Sequence, residues 1–165
     1  MKYIDEYRQW AAPVVKGDKP RLMIFYASSY GNTQKLAESL ADGARENGVE
    51  VTIFDLQVSE PGALLNEVER ADGIAVGSCT INGDAVKPVW DFLSSLATLK
   101  LRGKVGAAFG SYGWSGEAVK MIEDRLKGIK FKVPAEGVRA HLVPSEDDLV
   151  KAKELGVALA KALVP

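Results

Sequence analysis

The sequence predicts an α/β fold, an open and doubly wound parallel sheet of five strands with helices on both faces. Beyond Pro20, short and nearly continuous apolar segments alternate with amphipathic helical segments, which is typical of parallel strands buried on both faces. Five such units are too few to close an eight-stranded barrel. We therefore expect the strand order 2-1-3-4-5 and a ligand site beyond the carboxyl ends of the strands.

The size and charge of the chain fit one soluble domain. It has 165 residues and a formal net charge of −1, which gives room for a sizeable core and no basic surface for nucleic acid. Early charges predict no secretory signal, and no apolar run approaches the roughly 20 residues that span a bilayer. We expect a cytoplasmic protein with neither nucleic acid nor membrane as a partner. One cysteine and one histidine exclude a disulfide framework and a multi-ligand His/Cys metal site, so any redox chemistry requires an organic cofactor.

Residues 1–20 are predicted to form a helical lead-in and a linker, and residues 21–165 to form the domain itself. Aromatic residues recur at helical spacing at Tyr3, Tyr7 and Trp10. Pro13 and the segment 16–20 then interrupt that pattern, as proline and glycine do at the end of a helix.

The first half of the domain is predicted to contain three strands and two helices. The strands are residues 22–26, 51–55 and 73–78, and the helices begin at about Thr33 and Gly62. The first helix has an apolar stripe and ends near Asn47 and Gly48, where glycine favours a left-handed stop.

The second half continues the alternation. A helix is predicted over 86–99, a strand over 105–110, a helix over 117–127, a strand within 137–142, and a last helix that continues to about Leu163. Ser145 and Asp148 have the spacing of a capping pair at the start of that last helix.

The loop after the first strand has the composition of a phosphate site. It comprises Ser28, Ser29, Tyr30, Gly31, Asn32 and Thr33. The first N–H groups of a helix have no internal partner, and the helix dipole favours an anion there. Because no Lys or Arg precedes Lys35 in this loop, the expected ligand is the terminal phosphate of a mononucleotide cofactor. The loop alone does not exclude a simpler interpretation, in which Ser29, Asn32 and Thr33 only cap the helix.

Two other phosphate motifs are missing from the sequence. A Walker loop requires Gly, four residues and then Gly-Lys-Ser/Thr, and no segment has that spacing. The dinucleotide fingerprint Gly-x-Gly-x-x-Gly does not follow the first strand, where only Gly31 occurs.

Two further loops share this polar composition and follow the third and fourth strands. They comprise Ser78, Cys79, Thr80, Ile81 and Asn82, and Ser111, Tyr112, Gly113, Trp114, Ser115 and Gly116. In the order 2-1-3-4-5 these strands neighbour the first, so the three loops form one crevice. Tyr112 and Trp114 can stack on a flat ring, or they are ordinary turn residues that pack on a neighbouring loop. Because three loops share this composition, we favour a ligand in which a flat ring is attached to a phosphate.

The three loops together resemble the flavodoxin-like FMN domain of flavodiiron proteins, also called A-type flavoproteins, and the similarity covers residues 21–165. The segment 7–10 is similar to the one that leaves the diiron domain in that family. The resemblance implies a flavodoxin-like fold and non-covalent FMN, with Ser28–Thr33 on the phosphate and with residues 78–82 and 111–116 on the isoalloxazine ring.

The resemblance also implies a role. FMN would take electrons from a rubredoxin-like or flavin reductase donor and pass them to a diiron centre on a neighbouring subunit, in a parent that pairs head-to-tail as a homo-oligomer. The chain has only His141 among histidines, so the family's diiron ligands are not in it. It is therefore an excised domain or a stand-alone relative, and the helical lead-in and charged linker favour excision.

One residue departs from the family pattern. Cys79 stands where the family usually has proline. A thiol fits there sterically, and we expect a small buried hydrophobe without a redox role; the alternative is that it alters ring contacts and the flavin potential. The Asn82–Gly83 peptide is a second candidate for tuning, because glycine lets it flip to bond the flavin N5.

Three other functions are weighed against electron transfer. An NAD(P)H-dependent quinone or flavin reductase on the same fold needs room for nicotinamide over the ring, where Trp114 is expected as a cover. A phosphoacceptor receiver domain needs an aspartate at the end of the third strand, where the chain has Gly77 and Ser78. A purely structural interaction module explains the fold but not the three loops.

Overall fold

A computed structural model describes residues 19–164 and contains six strands and five α-helices in that range. They are β1 (Arg21–Ala27), α1 (Asn32–Arg45), β2 (Glu50–Asp55), α2 (Pro61–Arg70), β3 (Gly73–Ile81), β4 (Asp84–Ala85), α3 (Lys87–Ser95), β5 (Val105–Tyr112), α4 (Glu117–Gly128), β6 (Val138–His141) and α5 (Glu146–Leu163). The predicted lead-in, apart from residues 19–20, lies outside the described residues.

The strand order confirms the predicted topology. The sheet runs β2-β1-β3-β5-β6, and every pair along that path is parallel. These five strands correspond to the predicted order 2-1-3-4-5. The short β4 was not predicted; it pairs antiparallel with the end of β3.

Helices cover both faces of the sheet and create two cores. α1 and α5 pack on one face, over side chains such as Ile24 and Phe109. α2, α3 and α4 pack on the other face, over side chains such as Phe25 and Val76. Ile24 and Phe25 enter different cores because successive side chains of a strand point to opposite faces. The carboxyl edge of the sheet is left for the loops.

Two strands extend further than predicted, and this changes the shape of the site. β3 continues past Ser78 to Ile81, and β5 continues past Gly110 to Tyr112. The cause is strand pairing, since Cys79 pairs with Ser111 and Thr80 pairs with Tyr112. The first parts of both predicted loops are therefore held rigidly in the sheet.

Several predicted boundaries shift by a few residues. The helix predicted over 86–99 ends at Ser95 and continues as a single 3-10 turn over Leu96–Thr98.

The predicted capping pair is confirmed, because the Ser145 and Asp148 side chains each accept a hydrogen bond from the other residue's N–H. Gly48 has φ +84° just after α1, as expected for a left-handed stop.

Candidate functional site

The register of the central strands brings the three predicted loops to one edge. Ala27, the last residue of β1, pairs with Ser78 of β3, and Ser78 pairs with Gly110 of β5. The segments that follow these residues therefore leave the sheet side by side. This agrees with the expectation that parallel α/β sheets bind ligands beyond the carboxyl ends of their strands.

The first turn of α1 has no capping side chain. Gly31 occupies the N-cap position with φ +80°, no side chain accepts a hydrogen bond there, and no acidic residue lies in the first turn. The alternative in which Ser29, Asn32 and Thr33 only cap the helix is therefore wrong. The helix dipole faces the loop uncompensated, and that arrangement suits an anion.

The phosphate loop divides into exposed and buried residues. Ser29 and Tyr30 are exposed, and Ser28, Gly31 and Asn32 are half-buried. Thr33 is completely buried, with an exposed fraction of 0%. Its Oγ1 lies 2.8 Å from Oγ of Ser111, so a hydrogen bond connects the first turn of α1 to β5.

Cys79 connects the first and second loops. It is half-buried, and its Sγ lies 3.4 Å from Oγ of Ser29. The thiol thus contacts the phosphate loop, and it is less enclosed than the small buried hydrophobe that the sequence predicts.

Ser78 and Thr80 bond to backbone groups of the neighbouring elements. The Ser78 hydroxyl, completely buried, donates to the Cys79 carbonyl at 2.7 Å and accepts from the Val86 N–H at 3.1 Å. Oγ1 of Thr80 accepts a hydrogen bond from the N–H of Ala118 at 3.3 Å. This N–H lies in the first turn of α4, where backbone donors have no partner within the helix. These two side chains hold the carboxyl end of β3 against α3 and α4.

A tight hairpin follows β3 and carries the rest of the second loop. Asn82 and Gly83 lie between β3 and β4 and have φ +52° and +73°. Two central residues with positive φ are characteristic of a type I′ turn, for which Asn-Gly is the preferred sequence. The turn leaves Ile81 and Asn82 exposed.

The third loop has two aromatic rings in different surroundings: that of Trp114 is exposed, and that of Tyr112 packs against β6. Trp114 is 98% exposed. The Tyr112 ring instead lies 5.2 Å from the His141 ring, with the Arg139 guanidinium carbon 6.0 Å from its centroid. Nε2 of His141 lies 3.0 Å from the Gly113 carbonyl oxygen. β6 therefore supports this loop from the side.

Sequence reasoning missed Arg139 and His141 as neighbours of the third loop. Their role follows from the register of β5 and β6, in which Tyr112 pairs with His141. No local motif surrounds either residue, so only a correct register for the fifth parallel strand could have indicated them. Gly116 also lies against Tyr112. A Cβ at this position would lie 2.9 Å from Tyr112 Cδ1, so a residue with a side chain would displace the ring.

Tyr26 is a titratable residue of β1 whose pKa is shifted by the fold. Burial, followed by the neighbouring carboxylates of Asp55 and Glu38, raises the pKa of Tyr26 above its ordinary value of 10.0. All three causes disfavour the phenolate. Tyr26 therefore stays protonated in the folded chain to a higher pH than it does in the unfolded chain.

Residues 19–164 contain neither a metal-binding cluster nor a membrane-spanning helix. No group of three or more His, Cys, Asp or Glu side chains there is arranged to hold a metal ion. No helix in the same range is long and apolar enough to cross a membrane.

Comparison with known proteins identifies the family of this chain. Residues 24–156 match the family described as Flavodoxin. The chain belongs to the flavodoxin family. FMN is the cofactor of that family, so the cofactor predicted from the loops is confirmed at that level. A flavodoxin from the domain Archaea shares 32% identity and superimposes with a TM-score of 0.79, over 87% of this chain and 98% of that one.

Several similar relatives are longer proteins. The type A flavoprotein fprA of Rhodobacter capsulatus is 49% identical over 148 residues, 89% of this chain and 34% of that protein. The nitric oxide reductase of Moorella thermoacetica is 38% identical over 96% of this chain and 39% of its own length. Rubredoxin:oxygen oxidoreductase of Desulfovibrio gigas superimposes with a TM-score of 0.84 at 31% identity, over 97% of this chain and 39% of that one.

These relatives confirm the resemblance to the flavodoxin-like part of A-type flavoproteins. The chain spans about a third to two fifths of the length of the curated relatives named above. It is homologous to one part of those proteins and not to the whole.

Proposed function

We propose that this chain binds FMN at the junction of its three loops and transfers electrons as one part of a flavodiiron-type oxidoreductase. The observation that carries the proposal is the uncapped N-terminus of α1, which lies at the same sheet edge as an exposed tryptophan. One feature suits a phosphate and the other suits a flat ring. FMN contains both groups in one molecule.

The phosphate half of the site uses backbone donors and small hydroxyls. The N–H groups of Gly31 and Asn32 begin the uncapped turn, and Ser28, Ser29 and Tyr30 lie on the loop that precedes it. Backbone donors at a helix N-terminus can bind a phosphate without lysine. Gly31 suits this turn because its φ of +80° is one that residues with a side chain rarely adopt.

The ring half of the site uses the second and third loops. Trp114 is free to stack on one face of the isoalloxazine, and its exposure of 98% means that no folding contact must be broken to do so. We assign the polar edge of the ring to the backbone of the turn at Asn82 and to the N–H of Gly113, whose carbonyl already contacts His141. The Tyr112 ring packs against the His141 ring and lies near the Arg139 guanidinium.

FMN would supply the redox chemistry, because its ring accepts and donates electrons one or two at a time. The chain's own residues bind the cofactor, orient it and limit its exposure to water. They also determine the local polarity, because the buried hydroxyls of Ser78 and Ser111 lie beneath the loops that surround the ring.

The larger setting is also a proposal. The names of two relatives, a flavo-diiron protein and a rubredoxin:oxygen oxidoreductase, support electron delivery to a diiron centre from a rubredoxin-like donor, and a flavin reductase is the alternative donor. A chain matching about two fifths of such proteins fits an excised domain or a stand-alone relative. We further propose a cytoplasmic location and head-to-tail pairing in the parent protein.

A pair of titrations tests the proposal. Purified chain, freed of flavin, is titrated with FMN and with riboflavin, which lacks the phosphate, and flavin fluorescence reports binding. We expect binding of FMN at one per chain and weaker binding of riboflavin. Equal affinity for the two ligands would contradict the phosphate assignment, and no uptake of either would contradict the whole proposal.

One variant tests the phosphate half of the site, and one assay tests the reductase alternative. Ser29→Ala should weaken FMN binding by about tenfold or more, as for a hydrogen bond to a charged group, and should leave riboflavin unchanged. Steady-state oxidation of NAD(P)H by the FMN-loaded chain tests the reductase alternative. Turnover with a quinone or free flavin as acceptor would favour a reductase over an electron-transfer domain.

A further inference from the structure

The end of β6 is hydrogen-bonded to the third loop at two consecutive positions. Nε2 of His141 lies 3.0 Å from the carbonyl oxygen of Gly113, and the N–H of Leu142 donates to the carbonyl of Tyr112 at 2.7 Å. A carbonyl oxygen can only accept a hydrogen bond, so the imidazole carries a proton on Nε2 and donates it. One side chain and one backbone group of β6 and its end therefore hold the backbone of this loop.

The backbone at Leu142 is strained where it makes this connection. Leu142 has φ +58°, a left-handed conformation that a bulky residue rarely adopts. Its side chain is 56% exposed, so burial of the leucine does not explain the conformation. Its N–H nevertheless stays bonded to Tyr112. Strain of this kind persists where the surrounding structure fixes a functional segment.

The Gly113 carbonyl belongs to the same planar peptide as the N–H of Trp114. In a trans peptide these two groups point in opposite directions, and no peptide in residues 19–164 is cis. β6 lies on one side of β5, and β3 lies on the other. A carbonyl held toward His141 therefore directs the Trp114 N–H away from β6, to the side where the second loop follows β3.

We infer that His141 is a positioning residue for the flavin site, because its bond to Gly113 aims the Trp114 N–H at the polar edge of the ring. The inference rests on the proposed function. It adds one backbone donor to the site, and it assigns a role to a side chain on a strand that is outside the three loops. His141 acts through the peptide and not by contact with the cofactor.

The redox state of the cofactor should reveal this donor. Reduction places negative charge on the polar edge of an isoalloxazine ring, and hydrogen bonds to charged groups are stronger than those to neutral groups. A misdirected Trp114 N–H should therefore weaken the binding of reduced FMN more than that of oxidised FMN, and so lower the reduction potential of the bound cofactor. The phosphate lies outside the ring, so FMN and riboflavin should lose equal affinity.

Two replacements separate the hydrogen bond from the packing of the rings. His141→Phe keeps an aromatic ring against that of Tyr112, which lies 5.2 Å away, and removes the Nε2 donor. His141→Gln removes the ring and keeps a side-chain N–H donor. Val143→Ala is the matched control, because it follows the same strand and its side chain is 63% exposed.

Each variant is titrated with oxidised FMN and with riboflavin, and the midpoint potential of its bound FMN is measured. Urea denaturation of each apoprotein records stability separately. Stability alone cannot change the potential, because oxidised and reduced FMN bind the same folded chain.

We expect His141→Phe to raise the dissociation constants of oxidised FMN and riboflavin by about threefold and that of reduced FMN by about thirtyfold. The tenfold ratio between the two redox states lowers the two-electron potential by about 30 mV. His141→Gln should restore most of the affinity and most of the potential. Val143→Ala should change neither.

Three results would overturn the inference. They are an unchanged potential in His141→Phe with FMN bound, a His141→Gln variant as altered as His141→Phe, and a larger loss of affinity for FMN than for riboflavin. If His141→Phe does not fold, His141→Leu gives the same comparison with His141→Gln. Failure of the unaltered chain to bind either flavin would contradict the proposed function, whereas normal flavin binding with an unchanged potential contradicts only the role of His141.

Discussion

Replacement of Trp114 by alanine separates binding from folding more cleanly than any other change at this site. Because Trp114 is 98% exposed, its side chain contributes almost nothing to the fold. The free energy of unfolding of the apoprotein should therefore change by no more than about 0.5 kcal/mol, as for other surface substitutions.

The loss of flavin affinity can be estimated from the area that the indole would cover. A tryptophan buries 150–250 Å², so one face against the ring accounts for about 100 Å². At about 25 cal/mol per Å² this contributes roughly 2.5 kcal/mol, and offset stacking adds about 1 kcal/mol. Ordering the exposed side chain costs about 1 kcal/mol. The net of roughly 2–3 kcal/mol raises the dissociation constant by about 30- to 150-fold.

The assay is fluorescence titration of Trp114→Ala and Trp114→Phe with both FMN and riboflavin. The alanine variant should lose equal affinity for both ligands, because the contact is with the ring, and phenylalanine should retain most of it. Trp90→Phe is the control. Nε1 of Trp90 donates to Asp84 at 2.7 Å, so its loss should lower the stability of the chain and leave the affinity for flavin unchanged. A loss of less than about threefold with Trp114→Ala would refute the stacking argument.

Three further predictions concern stability and tuning. Gly43→Ala should destabilise the chain by about 1–3 kcal/mol in urea titrations, because a methyl group would overlap the Lys153 carbonyl oxygen where α1 crosses α5. Gly128→Ala, which meets nothing within 4 Å, should not, and equal effects would contradict the close crossing. In the unaltered chain the pKa of Tyr26 is raised by folding, so the unfolded chain ionises first and the free energy of unfolding falls as pH rises above about 10. Tyr26→Phe removes this ionisation and should make that alkaline fall in stability shallower. An unchanged alkaline slope would contradict this. Gly83→Val strains a residue at φ +73° and, if the Asn82–Gly83 peptide flips toward flavin N5, should lower the first reduction potential of bound FMN by about 40 mV. An unchanged potential with FMN still bound would contradict the flip.

The topology was predictable because hydrophobic patterning controls it. Nearly continuous apolar strands and amphipathic helices reveal which elements are buried on both faces. Five of the six strands and all five α-helices of the described range were expected from this pattern, and the parallel order followed from general rules for doubly wound sheets.

The shape of the candidate site was less predictable, because pairing between distant residues decides it. The sequence 78–82 is polar enough to be a loop, yet Cys79 and Thr80 pair with Ser111 and Tyr112 and stay in the sheet. The β4 hairpin had a usable signal in Asn82-Gly83, a favoured type I′ pair. Its partner strand is only Asp84–Ala85, too short to show an alternating pattern.

Roles of individual side chains were the least predictable part. The sequence groups Thr33 with the phosphate loop, and only the packing of α1 against β5 turns its hydroxyl toward Ser111. His141 similarly gains its neighbours Tyr112 and Gly113 from strand register. Composition identifies which loops form the site, and tertiary contacts decide which of their atoms face a ligand.

The most direct test of FMN binding is an ultraviolet–visible spectrum of the purified chain, with FMN added if the protein is colourless. We expect paired flavin bands that remain with the protein at one FMN per chain through gel filtration and bleach on addition of dithionite. A chain that stays colourless after incubation with excess FMN would contradict the assignment of the three loops to a flavin site.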